Sequence, residues 1–203
     1  MSDDNWNSRA ANWDDDPDVV LYADKAFEAC EQFVFPHIPN LASASVLDFG
    51  CGTGLLAAKL SGQVADINAV DTSQGMTDIL RNNAAVLDLK NITVTCADIL
   101  DPSAPIHQQS LNRFDLIVAS SVCSFLDDYP LALTRLSSFL KPGGIWVQWD
   151  WAADMPESKI RNAFEASRLK VEHLEIAFEM NFGEDVYPVI MAVGRQELAA
   201  SIS

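Results

Sequence analysis

The run Val46-Leu47-Asp48-Phe49-Gly50-Cys51-Gly52-Thr53-Gly54 places three of the chain's nine glycines within five residues. It begins as an apolar strand, Ser45–Phe49, and passes into a helical stretch, Leu55–Leu60. A glycine loop between strand and helix lets backbone approach a ligand closely. Glycine tolerates positive φ and has no Cβ in the way, while the helix behind offers free N–H groups to ligand oxygens. The spacing is Gly-x-Gly-x-Gly, and the position that would complete the dinucleotide pattern Gly-x-Gly-x-x-Gly is Leu55. That departure counts against a nicotinamide cofactor.

Outward from this loop, short apolar runs alternate with helical ones. Val64–Val70 reads as a second strand, Ser73–Leu89 as a helix with Met76, Ile79, Leu80 and Leu87 on one face, and Ile92–Cys96 as a third strand. Asp101–Asn112, with Pro102 and Pro105, reads as a loop. Phe114–Ala119 is a fourth strand, apolar enough for burial on both faces, Pro130–Leu140 a helix, Lys141–Gly144 a turn and Ile145–Trp149 a fifth strand. Glu157–Arg168 is helical. Leu174–Met180 and Val186–Val193 are separated by only five residues, Asn181 to Asp185, which is too short for a parallel crossover and suits a hairpin. The pattern predicts an α/β fold: a doubly wound, mostly parallel seven-stranded sheet with an antiparallel C-terminal strand and helices on both faces. One domain over residues 1–203 is expected, with residues 1–39 as an N-terminal helical cap and 40–195 as the core. Within the cap, Val20, Phe27, Cys30 and Val34 recur at helical spacing. Asp18 reads as the N-cap, and Pro36 and Pro39 stop the helix near Phe35.

Composition narrows the partners. Thirteen basic residues against 29 acidic give a net charge of −16, which repels a nucleic-acid backbone or an anionic membrane surface, so neither is expected as a partner. Cys30, Cys51, Cys96 and Cys123 form no Cys-x-x-Cys pair, and His37, His107 and His173 are equally scattered, so no metal is expected. The start at Met1-Ser2-Asp3-Asp4 shows no basic, apolar leader and no stretch of 18 apolar residues occurs, so a cytoplasmic location is expected.

Asp71 ends the second strand 19 residues beyond Gly52, where a carboxylate accepts hydrogen bonds from the hydroxyls of a ribose. Loop and carboxylate together imply a cofactor that contains a nucleoside. At this point the sequence resembles the class I S-adenosylmethionine-dependent methyltransferases over about residues 40–195. Asp48–Gly54 matches the family's Asp-x-Gly-x-Gly-x-Gly signature, Asp71 its ribose-binding acid, and Ala97-Asp98-Ile99 its adenine-binding stretch. Phe114–Val118, Leu140–Gly144 and the terminal hairpin match its fourth strand, the turn before its fifth, and its antiparallel last strand. The resemblance implies S-adenosylmethionine as cofactor, with Gly50, Cys51 and Gly52 along its methionyl part and Asp48 near its ammonium group. It further implies Asp71 on the ribose, Thr72 and Met76 flanking the adenine, Asp98 accepting from the adenine amine, Ile99 on the ring face and Ser120 beside the methionyl group. Taken alone, Met76 reads equally as helix core and Asp98 as a turn residue.

The resemblance implies methyl transfer to a small-molecule acceptor by direct in-line displacement. Two other functions fit the same loop: a non-catalytic S-adenosylmethionine-binding partner protein, and an NAD-dependent oxidoreductase, which Leu55 and the hairpin disfavour. No histidine base stands after the fourth strand, where Ser121-Val122-Cys123-Ser124-Phe125-Leu126 runs. In open α/β sheets ligands bind beyond the carboxyl ends of the strands, so Cys123, Trp149, Asp150 and Trp151 are candidate acceptor contacts, and Asp150 is the candidate catalytic group. The tryptophans fit packing beneath helices as well, and Asp150 fits an exposed strand end. Trp6 and Trp13 lie among the aspartates of residues 1–18. The pair suits a lid over the cleft, with Trp13 against the acceptor, while the acids suit a solvated tail.

Overall fold

A computed structural model describes residues 3–111 and 113–197. The start of the chain at Met1-Ser2 and the end of the expected loop at Asn112 lie outside the described residues. Seven strands form one sheet: β1 (Ser45–Phe49), β2 (Asp66–Asp71), β3 (Ile92–Cys96), β4 (Phe114–Ser120), β5 (Leu140–Trp151), β6 (Leu169–Phe182) and β7 (Asp185–Gln196). Their order is β3-β2-β1-β4-β5-β7-β6. The first five are parallel and β7 runs antiparallel to both β5 and β6, as the short hairpin requires. The chain order reverses between β1 and β4, so a crevice opens there beyond the strands' carboxyl ends.

Strand parity sends side chains to two helical layers. Val46, Ile67, Val118, Val147 and Trp149 pack with residues of α2 (Pro17–Phe33) and α3 (Leu55–Ser61), including Ala26, Cys30, Leu56 and Leu60. Leu47, Ile117, Trp146 and Ile190 pack with Leu133 and Leu136 of α6 (Tyr129–Ser137) and Ile160 and Phe164 of α7 (Glu157–Ala166). The remaining helices are α1 (Asp3–Arg9), α4 (Gln74–Val86) and α5 (Pro105–Ser110). Among the described residues no helix is long and apolar enough to cross a membrane.

Several boundaries differ from the sequence reading. The cap of α2 is Asp16, whose carboxylate accepts from Asp18 N–H at 2.9 Å. Pro17 takes the first helical position, where its missing N–H costs nothing, and this moves the start back from Asp18. The same property of proline explains α5, which begins on Pro105 inside the expected loop. Lys141–Gly144 does not leave the sheet as a turn. It is a register irregularity within β5, between the Phe114↔Leu140 and Leu116↔Ile145 pairs. The terminal strands are longer than expected and pair up to Phe182↔Asp185, so the connection shrinks to Gly183-Glu184. Since β5 pairs with β7 only as far as Trp151↔Val189, the hairpin tip projects beyond the sheet's carboxyl edge.

Trp149 is fully buried in the layer under α2 and α3. Removing that ring leaves a large cavity, so Trp149→Ala is expected to lower the unfolding free energy by about 3–5 kcal/mol in urea titrations. A loss below about 1 kcal/mol would show that the ring carries little of the core.

Candidate active site

The loop after β1 turns with Gly50, Gly52 and Gly54 all at positive φ, +70°, +53° and +86°. A Cβ on Gly50 would stand 2.5 Å from Val122 Cγ2, and one on Gly54 would collide with Leu80. At Gly52 no protein atom lies within 4 Å of that position, so the backbone there faces open space. Asp71, at the end of β2, fixes this loop: one carboxylate oxygen accepts from Gly52 N–H at 2.9 Å and the other from Ser73 N–H at 2.8 Å. Ser73 in turn caps α4, its hydroxyl accepting from Met76 N–H at 3.2 Å.

A cavity of about 720 Å³ lies over these residues, within the range of small-molecule sites. All ten residues picked from the sequence for the cofactor line it: Asp48, Gly50, Cys51 and Gly52 from β1 and its loop, Asp71, Thr72 and Met76 from β2 and α4, Asp98 and Ile99 after β3, and Ser120 at the end of β4. Asp98 is exposed and its carboxylate accepts from Leu100 N–H at 2.8 Å, whereas Ile99 and Met76 are buried.

Asp48 is the odd group on this wall. It is 2% exposed, and its Oδ2 has no hydrogen-bond partner among the described residues. Burial first and the Asp71 carboxylate second push its pKa up to about 7. An orphaned carboxylate oxygen beneath a glycine loop suits a cationic ligand group, which would return Asp48 to its charged form. With Asp71 at the next strand end, the donor and acceptor set fits S-adenosylmethionine, with its ammonium group, its ribose and its adenine.

The acceptor half departs from expectation. Trp13 and Trp151 line the cavity, but Trp149, Asp150 and Cys123 are fully buried and do not. The strand runs two residues past Trp149, so the residue that emerges at its end is Trp151. By parity Asp150 points to the α6 side, where it is held by Gln148 Nε2 (2.9 Å) and Ser124 N–H (3.2 Å). Gln148 Oε1 accepts from Tyr129 and Trp146, at 2.7 and 3.0 Å. Burial, outweighing those bonds, pushes the Asp150 pKa up to about 7. Asp150 and Cys123 thus belong to a buried polar network, and Phe125, two residues on, is the one exposed to the cavity.

Tyr22 and Phe182, which the sequence reading did not single out, complete the wall with the expected Trp6 and Trp13. Tyr22 is buried beside Trp151 and Phe178, with ring centroids 5.3 Å from each. Phe182 reaches the cavity from the projecting hairpin. Trp6 makes edge contacts with Trp13 and Phe125 at 5.6 and 5.4 Å, and Arg9 lies over both tryptophans. The spacing Trp6, Arg9, Trp13 is that of one helical face, a signal the sequence does carry. This N-terminal segment is clasped at two points. Asn7 Oδ1 accepts from Ser73 Oγ and Gly75 N–H, both at 2.8 Å, and Asp14 accepts from Thr53 Oγ1 at 2.5 Å and Asn83 Nδ2 at 3.2 Å.

Comparison with known proteins finds methyltransferases. Residues 46–144 match the family described as Methyltransferase domain. A ubiquinone biosynthesis O-methyltransferase of Coxiella burnetii (strain RSA 493 / Nine Mile phase I) is 33% identical over 105 residues, covering 52% of this chain and 42% of that protein. The chain therefore spans under half the length of that relative. An uncharacterized methyltransferase of Mycobacterium tuberculosis (strain ATCC 25618 / H37Rv) is 28% identical over 142 residues, 63% of this chain and 68% of that protein. The crystal structure of a SAM-dependent methyltransferase from Aquifex aeolicus superposes with a TM-score of 0.69 at 18% identity, covering 96% of this chain and 98% of that one.

The buried Asp48 gives a prediction with a definite sign. Its pKa is raised from 3.8 to about 7, so the folded state holds a proton that the unfolded state releases. This contribution to stability is fully present below about pH 4 and is lost as pH rises through 7. In the ligand-free protein Asp48→Asn should therefore raise the unfolding free energy at pH 8 by an amount of order 2–4 kcal/mol, and change it little at pH 4. Equal effects at the two pH values in denaturant titrations would contradict the assignment.

Proposed function

We propose that the chain is a class I S-adenosylmethionine-dependent methyltransferase and that it transfers the cofactor's methyl group to a small-molecule acceptor. The observation that carries this reading is that ten residues scattered over four strand ends line one cavity and present the groups the cofactor requires. Bound there, S-adenosylmethionine supplies a methyl group on a sulfonium, open to direct in-line displacement.

The residues of this chain bind, orient and shield. Gly50 to Gly52 give backbone contact without side-chain bulk, and Asp48 offers a carboxylate to the ammonium group. Asp71 takes the ribose, its own orientation fixed by the bonds from Gly52 and Ser73. Thr72 and Met76 flank the adenine, Asp98 accepts from its amine and Ile99 covers its face, with Ser120 beside the methionyl group. The acceptor lies on the other side, among Trp6, Trp13, Tyr22, Phe125, Trp151 and Phe182, where aromatic walls suit a largely apolar molecule. Residues 3–15 act as the lid that keeps water away, since both of their clasps hold on the rim of the cofactor half. Holding acceptor and methyl in line can supply roughly 7–11 kcal/mol of the barrier. No side chain of the acceptor half is assigned as a base, and Asp150 is kept as a structural support of the β5 end. The relative named for ubiquinone biosynthesis supports a small-molecule acceptor.

S-adenosylhomocysteine is expected to raise the melting temperature, and Asp71→Ala to weaken its binding about 10- to 100-fold in calorimetry, because charge-assisted bonds to hydroxyls and the loop's anchor are lost together. Unchanged affinity would sink the ribose assignment. Deleting residues 1–15, which spares the Asp16 cap, should leave a folded protein that no longer transfers labelled methyl from S-adenosylmethionine into acceptors the full chain accepts. Equal turnover by the shortened chain would remove the lid from the account.

A further inference from the structure

Arg9 is out of place in so acidic a molecule. Seven lysines and arginines pair with carboxylates among the described residues, yet Arg9 pairs with none. It is held instead by rings, its guanidinium carbon 5.3 Å from the Trp6 centroid and 4.9 Å from that of Trp13. These cation–π contacts hold the group against two rings that stand 83° to each other, without using its N–H donors on a carboxylate. Arg9 lines the cavity, on the same segment that Asn7 and Asp14 clasp over the cofactor half.

Among the described residues only one other basic residue lines the cavity, Arg135, which donates through Nη1 to the Leu100 carbonyl at 2.9 Å. That carbonyl follows Asp98-Ile99, at the end given to the adenine. Of the aspartates along the cavity, Asp48, Asp71 and Asp98 match the cofactor's ammonium, ribose and amine, all of them cationic or hydrogen-bond donors, while Asp16, Asp18, Asp127 and Asp128 add further negative charge. The cofactor's one anionic group, its methionyl carboxylate, would repel every one of those acids and needs a cation. We propose that Arg9, held against Trp6 and Trp13, is the binding site for that carboxylate. This rests on the cofactor reading given above. The pairing gives the segment a third clasp, made only when a carboxylate-bearing ligand is present, so that the lid is tied to the cofactor itself. A guanidinium fork matches a carboxylate with two parallel bonds, which an ammonium on the same stem does not.

The test compares two ligands that differ by the carboxylate alone, S-adenosylhomocysteine and its decarboxylated form S-adenosyl-3-thiopropylamine, by calorimetry on the full chain. Arg9→Met keeps an unbranched apolar stem against the tryptophans and removes the charge, and Arg9→Lys restores the charge without the fork. S-adenosylhomocysteine should bind Arg9→Met at least tenfold more weakly than wild type, with Arg9→Lys in between, while the decarboxylated ligand binds all three proteins alike. An equal loss for both ligands overturns the proposal, because Arg9 would then act through packing of the segment. Unchanged binding of both ligands overturns it too. Wild-type protein that binds neither ligand overturns the cofactor reading, and this inference with it.

Discussion

A single carboxylate joins the parts of this site. Asp71 stands at the end of β2 and accepts from Gly52 on one side and Ser73 on the other, so it fixes the loop after β1 and the first turn of α4 with the same two oxygens. The loop needs such an anchor because its three glycines, which allow the left-handed turn, also leave it the most entropy to lose on ordering. Ser73 passes the order on: its hydroxyl caps α4 through Met76 and donates to Asn7, which brings the N-terminal segment down onto the helix. Gly75 permits the close approach, since a Cβ there would stand 3.1 Å from the Asn7 carbonyl oxygen. Strand end, loop, helix and lid are thus one hydrogen-bonded chain.

The second constraint is the burial of polar groups at the end of β5. Gln148 and Asp150 are both fully buried, which is costly unless every polar atom is matched. Tyr129, Trp146, Ser124 and the Gln148–Asp150 bond supply the matches, and the raised pKa of Asp150 shows that burial still outweighs them. The network ties β5 to α6 and to the turn after β4, and so sets where Phe125 and Trp151 meet the cavity. A core of apolar side chains would pack there without fixing those orientations, whereas hydrogen bonds are directional.

Alternating strands and helices made the sheet legible, and the glycine loop with its acid 19 residues on made the cofactor half legible, because both are local patterns in the chain. The acceptor half is set by strand length and parity, which short apolar runs do not fix. Reading β5 as ending at Trp149 rather than Trp151 was enough to promote Trp149 and Asp150 to the cavity, when one faces α2 and the other α6. Cys123 failed for a related reason: the turn after β4 buries its first residue and presents its third, Phe125. Tyr22 and Phe182 enter from elements distant in sequence, so no spacing reveals them. Arg9 was concealed by context, since a lone cation among aspartates reads as one more solvated charge.

The acids of the N-terminal segment illustrate how composition misleads. Asp14, Asp16 and Asp18 look like a solvating run, and a tail of that kind would gain nothing by folding. In the structure Asp14 accepts from the glycine loop's Thr53 and from Asn83, and Asp16 caps α2 through the N–H of Asp18. The Asp14 and Asp16 carboxylates each answer a donor that the fold leaves unsatisfied, at the rim of the cavity or at a helix start. The same charges that repel anions at long range therefore serve, at contact distance, to seat two tryptophans and one arginine over the cavity. Acidity and docking are compatible because hydrogen bonds act over about 3 Å, and the repulsion among exposed charges is screened beyond roughly 8–10 Å.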